Sequence, residues 1–197
     1  MSPIEIVCRA AREWALLIRR LMRDDNGIAG IEMAIIMPVL LLLFCGGGEI
    51  ALYARSHFQA SQMASTVADA VSRYETLTAS DVASIFTVTS EIMGTDDFGK
   101  NGYVILSSVS RTGGATSIVA WQCKGGALPN TSKIGIVNKA ATLPGNLTLD
   151  ATDNVIVAEV FYRHTPIFSN FISIEPQLYE TAVFRPRLGS LTSAPGC

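Results

Sequence analysis

The chain is short of charge. Lys, Arg, Asp and Glu together make up 16% of its 197 residues and hydrophobic residues 49%, whereas charged residues are about a quarter of an ordinary soluble domain. A solvated disordered polymer is excluded, and some of the apolar excess calls for a membrane. There is no surplus of basic groups either. With 15 Lys+Arg against 17 Asp+Glu the formal net charge is -2, so the chain has no global basic field for holding a polyanion, and nucleic acid is disfavoured as a partner.

Catalytic signatures are missing as well. The sequence contains no GxSxG, HExxH, CxxC, Walker A loop or GxGxxG, and nothing else in it implies a cofactor or a metal. The two histidines, His57 and His164, have no nucleophile or carboxylate partner visible in the sequence, so structural roles are expected and the chain reads as a non-enzyme. Asp150, Asp153 and Asn154 do not follow the spacing of an EF-hand loop and read as turn residues. Four cysteines are too few to define a disulfide scaffold.

What the sequence does have is one long apolar run. Ile28 to Tyr53 reads IAGIEMAIIMPVLLLLFCGGGEIALY, with Glu32 and Glu49 its only ionisable groups before the final tyrosine. At about 1.5 Å per residue this helix covers roughly 40 Å, enough to cross a hydrocarbon core of about 30 Å. IIMPVLLLLF is apolar on every face, unlike a core helix with a polar stripe. If the helix spans, both glutamates fall near the interfaces. Pro38 removes a backbone donor and predicts a bend. Gly46-Gly47-Gly48 is either a close-packing point or a soft joint.

Arg9, Arg12, Arg19, Arg20 and Arg23 precede the run, and only Arg55 and His57 follow it closely. This asymmetry predicts a cytoplasmic N-terminus and an exported C-terminal portion. Val7, Ala11, Trp14, Ile18 and Leu21 recur at helical spacing, so the leader is either an amphipathic surface helix or simply a basic export flank. No Ala-x-Ala site follows the run. The leader ends instead in Arg23-Asp24-Asp25-Asn26-Gly27, and cutting after Gly27 would make Ile28 the first residue and Glu32 the fifth.

On these residues the sequence resembles the prepilin class, and most closely the TadE-like minor pilins or pseudopilins of the tight-adherence Flp pilus system. Gly27, Glu32 and the stretch Ile31-Glu32-Met33-Ala34-Ile35-Ile36-Met37-Pro38-Val39-Leu40-Leu41 carry the likeness, with Met33 where an aromatic residue is usual. Glu49, Leu52-Tyr53 and Phe58-Gln59 continue it. Tyr162-Arg163-His164-Thr165-Pro166-Ile167-Phe168 is similar to the family's strand-end element, and Phe184-Arg185-Pro186-Arg187 is similar to its C-terminal part.

The resemblance implies removal of residues 1–27 by a membrane prepilin peptidase. It also implies partnership with major and other minor pilin subunits and with an assembly platform in a bacterial inner membrane. A carboxylate in hydrocarbon needs a partner, and the new α-amine at Ile28 is the natural cation for Glu32. Membrane lipid is the remaining partner.

Beyond the span, Phe58, Met63, Val67, Val71, Tyr74 and Leu77 predict that the helix continues to about residue 76 with one face on a globular body. A second helix is expected after Ser80 as N-cap, ending at Gly94. Residues 96–102 read as a turn-rich connection. Tyr103–Ser110 and Ala115–Cys123 suggest a hairpin, with further strands at Val155–Tyr162 and Leu178–Phe184. The fold class is α+β, with a small antiparallel sheet of about four strands on the stalk helix. The organisation reads as leader 1–27, membrane half 28–54, amphipathic stalk 55–77 and head 78–197. With Cys8 in the leader and Cys45 in the membrane, Cys123–Cys197 is the one sensible bridge.

Two other readings stay open: an uncleaved single-pass anchor whose exported domain binds a ligand or partner protein, and a membrane-tethered hydrolase whose nucleophile and base meet only in the fold.

Overall fold

The computed structural model describes residues 26–111, 116–167 and 177–197. The leader helix contemplated over Val7–Leu21 lies outside the described residues, and so does Phe168. The chain divides into two compact units, Met1–Gly48 and Glu49–Cys197. One helix, α1 (Asn26–Ser72, 47 residues), contributes to both.

In the first unit α1 is an apolar cylinder. Its large side chains from Ile28 to Phe44 are exposed all round, Phe44 to 82%. This is the one helix among the described residues long and apolar enough to cross a membrane. The helix runs through Pro38 without ending, although the missing N–H deprives the Ala34 carbonyl of its usual donor. Among the described residues nothing outside the helix's own backbone crowds Gly47 or Gly48, so no contact with the rest of the described chain requires these glycines.

The second unit begins where α1 becomes amphipathic. Ala60, Met63, Ala64, Val67, Ala68 and Val71 follow three- and four-residue steps, and all are fully buried. The alanines allow the sheet to approach closely. The helix stops at Ser72, short of the expected residue 76 or 77. There the N–H groups of Arg73 and Tyr74 turn back to the Ala70 and Val71 carbonyls, and the Ser72 carbonyl accepts from Arg187 N–H at 2.8 Å. A contact from the C-terminal segment thus takes a carbonyl at the helix end.

Helix α2 (Ala79–Ser90) is capped by Thr78 rather than Ser80. Thr78 Oγ1 accepts from the Asp81 N–H, and the Asp81 carboxylate accepts the Thr78 N–H at 3.0 Å. This reciprocal box needs an acid three residues after the cap, a spacing that Thr78 has and Ser80 lacks. The Thr78 hydroxyl and N–H hold the Asp81 carboxyl below its usual range. Gly94, with φ 85°, does not stop α2; it caps a short helix α3 (Thr95–Asn101), in the segment read as a turn-rich connection.

Four antiparallel strands follow: β1 (Gly102–Ser110), β2 (Ile118–Gly126), β3 (Asn154–Arg163) and β4 (Gln177–Phe184), in the order β2-β1-β3-β4. Alternation sends Val104, Leu106, Ile156, Ala158, Val160 and Trp121 into one core with α1 and α2. The fold class is therefore α+β, as read from the sequence. Val109, Val119, Val155 and Val157 point the other way, against Ile134, Leu143 and Leu149. The irregular stretch after β2 thus covers the outer face of the sheet, which explains why β1 is buried along its whole length.

That cover is held by a buried carboxylate. Glu159 on β3 is fully buried. It accepts from the Ser132 hydroxyl, from Lys133 N–H at 2.8 Å and from Tyr179 O–H at 3.0 Å. Burial first, and then the neighbouring carboxylate, push the Tyr179 phenol well above its usual value.

The C-terminal segment returns to the helix-facing side of the sheet. The Leu191 carbonyl accepts from Ser108 Oγ and from Trp121 Nε1, both at 2.8 Å, and Cys197 is disulfide-bonded to Cys123 across a separation of 74 residues. Closing a loop of that size is worth about 4 kcal/mol in the chain-entropy account. Cys197→Ser is therefore expected to lower denaturant stability of the detergent-solubilised chain by about that amount. Reduction should produce the same loss in the unsubstituted chain and none in the variant; equal stability of all four samples would contradict the assignment.

Candidate functional site

Two constellations are built on α1, one in each unit. In the first, Gly27 and Ile28 lie in the opening turn of the helix and Glu32 one turn further on. Ile28 and Glu32 are exposed, and their i, i+4 spacing puts them on one face. Glu32 has no hydrogen-bond or ion-pair partner among the described residues. A carboxylate is thus displayed on an otherwise apolar cylinder beside the residue that would carry a new amine after cutting at Gly27.

The second constellation was not legible as a site. Glu49, read as an interfacial charge, is instead 1% exposed, and His164 is 7% exposed. His164 Nε2 lies 3.3 Å from Glu49 Oε1, and the Ile167 N–H donates to Glu49 Oε2 at 3.1 Å. On the far side of the ring, His164 Nδ1 lies 3.2 Å from Ser56 Oγ, which is also 3.2 Å from the Leu52 carbonyl. Tyr53 meets the imidazole edge-on, with centroids 5.6 Å apart. Local structure explains the convergence. Glu49, Tyr53 and Ser56 share one face of α1 at four- and three-residue steps, and β3 ends at Arg163, delivering His164 to that face.

The proton arithmetic is tight. Glu49 as a carboxylate accepts only, so Nε2 carries a hydrogen. Ser56 has one hydroxyl proton and two acceptors within reach. Pointing it at Nδ1 suits a neutral ring, and pointing it at Leu52 suits a ring that donates from both nitrogens. A Ser-His-Glu chain invites comparison with acyl-transfer enzymes, but Ser56 lies in mid-helix. Its own N–H and those of its neighbours are committed to carbonyls four residues back, so the helix offers no oxyanion donors at Oγ. The arrangement ties the end of β3 to α1.

The other histidine is paired too: His57 Nε2 lies 3.0 Å from Glu180 Oε1 on β4, at a half-exposed position. Arg73 is bonded to Asp69, which also accepts from Arg187. The Arg73 hydrogen bond leads in holding the Asp69 carboxyl below its usual range. Asp150 and Asp153 form a turn in which the Asp153 N–H donates to the Asp150 carbonyl and the Asp150 N–H to the Asp153 carboxylate, and no His, Cys, Asp or Glu group among the described residues could hold a metal.

These features define the class: an apolar N-terminal helix of membrane-spanning length entering a small α+β head. Residues 27–69 match the family model described as TadE-like protein, a stretch that takes in Gly27, Ile28, Glu32, Glu49 and Ser56 and stops within the buried part of α1. No curated protein and no solved structure matches the chain.

The two histidine pairs should separate in mutagenesis. His164→Ala removes one partner of a buried carboxylate and is expected to destabilise the chain by about 3 kcal/mol. His57→Ala, at a partly exposed pair, is expected to change stability by no more than about 1 kcal/mol. Chemical denaturation of both variants in the same detergent makes the comparison, and equal losses would deny the buried pair its role.

Proposed function

We propose that the protein is a TadE-like minor pilin or pseudopilin that takes part in assembly of a tight-adherence Flp-type pilus. In this scheme the chain inserts with its arginine-rich leader in the cytoplasm of a bacterium and its head in the periplasm. A prepilin peptidase cuts between Gly27 and Ile28. The mature chain then packs with major and other minor pilin subunits at the inner-membrane assembly platform.

The observation that carries the reading is Glu32, without a partner among the described residues, on the exposed apolar part of α1, five residues after Gly27 and within the segment that matches the TadE-like family. In hydrocarbon an ionised carboxylate is stable only beside a cation. Cutting after Gly27 creates an α-amine at Ile28, on the same helical face or available to a neighbouring subunit. Gly27 lies in a helical first turn, and its missing side chain lowers the cost of the extended conformation that a peptidase needs. Residues 28–197 carry more Asp+Glu than Lys+Arg, so apolar helix contact rather than bulk charge attraction holds the assembly together. The role is structural rather than catalytic.

Intact-mass analysis of the membrane-extracted chain, from hosts with and without a prepilin peptidase, tests the proposal. The expected result is a chain beginning at Ile28 only where the peptidase is present. A chain retaining residues 1–27 in both hosts would favour the single-pass anchor and end the pilin reading. Glu32→Gln is expected to be processed normally but to drop out of the assembled fibre.

A further inference from the structure

A cavity of about 460 Å³ opens beside the His164 cluster, within the range of about 300–1,000 Å³ typical of small-ligand sites. Its wall is the half-buried Ser56 with the buried His164, and Leu52, Ile92 and Ile167 supply apolar surface. Its charged lining residues are Arg55 and Glu91. Neither side chain makes a hydrogen bond or ion pair with any described residue. Two opposite charges that line one cavity without closing on each other are placed to receive the two ends of a zwitterion.

The sequence position of Arg55 narrows the ligand. A span needs about 20 residues, so one centred on the uncharged stretch Met33–Gly48 is complete near residue 50. Arg55 follows within about two helical turns, where headgroups rather than acyl chains are found. Leu52 and Ile167, both exposed, offer apolar surface beside it.

We infer that this cavity binds the headgroup of phosphatidylethanolamine, with its phosphate on Arg55 and its ammonium on Glu91. Guanidinium pairs with phosphate through charge-assisted hydrogen bonds, and a primary ammonium donates to a carboxylate as a quaternary choline cannot. A glycerol headgroup supplies no cation for Glu91. The inference rests on the membrane reading of α1.

Native mass spectrometry of the full chain, delipidated in detergent and then offered dioleoyl phosphatidylethanolamine, phosphatidylcholine or phosphatidylglycerol, tests it. The ethanolamine lipid should be retained in preference to both others. Arg55→Ala and Glu91→Gln should each reduce retention about tenfold, as loss of one charge-assisted hydrogen bond would. Both residues are exposed, so folding should survive, and an intact Cys123–Cys197 bridge checks this. Equal retention of the three lipids, or variants that retain lipid like the parent chain, overturns the site. Displacement by an equal concentration of soluble phosphoethanolamine would assign it to a free ligand and overturn the lipid. Release of the protein from membranes by alkaline carbonate would count against the membrane reading instead, whatever the lipid result.

Discussion

Glu49 imposes the constraint on which the head depends. A carboxylate withdrawn from water is tolerated only when its oxygens are satisfied, because the desolvation penalty of an uncompensated ion is several kcal/mol. Here one oxygen faces an imidazole and the other accepts a backbone N–H from the residue after Pro166. These two groups come from the chain just beyond β3, so the contacts they make with one side chain on α1 fix where that strand ends. Ser56, about two turns on, holds the ring from its other edge. Replacing any one of these groups leaves the others buried with less than they need, which makes the cluster cooperative.

The same device recurs on the opposite face of the sheet. Glu159 gathers the Ser132 hydroxyl, the Lys133 N–H and the Tyr179 phenol, while the Lys133 ammonium sits 3.7 Å over the Tyr179 ring. A segment with almost no regular structure, between β2 and β3, is thereby fixed over apolar strand residues that would otherwise meet water. Each face of β3 therefore has its cover secured by a glutamate, one on the strand itself and one on the helix. This arrangement specifies position rather than adding bulk stability, since the cost of withdrawing a carboxylate from water offsets most of what its contacts return.

The elements that were legible in the sequence are those set by local pattern. The apolar run, the four-residue steps through Met63, Val67 and Val71 and the β-branched strands all depend on periodicity within a few residues, whereas Phe58 and Tyr74, read into the same stripe, are exposed. Two of the misses were long-range. The end of α1 at Ser72 involves Arg187, more than a hundred residues away, and no local signal announces it. Thr78 could have been found, because Asp81 stands three residues later in the capping-box position. Glu49 and His164 are separated by 115 residues. The available signal was that Glu49 lies in the stretch that matches the TadE-like family model, while the sequence reading sets His164 in an element similar to that family's strand end; two such patches in one chain are candidates to meet. Hydropathy concealed this, because a glutamate at the end of an apolar run reads as the edge of a span.

The two glutamates of that run have opposite solutions to one problem. Glu49 finds its partners within the chain and is withdrawn among them. Glu32, exposed on the apolar part of α1, finds none among the described residues. In the proposed scheme, cutting after Gly27 makes one, and the amine can serve either its own helix or an adjacent one. Only the second choice links subunits, and it wins if the intrahelical i, i+4 geometry leaves the carboxylate partly unsatisfied when helices pack. A completed internal pair would make the chain indifferent to its neighbours. An incomplete one gives lateral contact a directional component that leucine side chains alone do not supply.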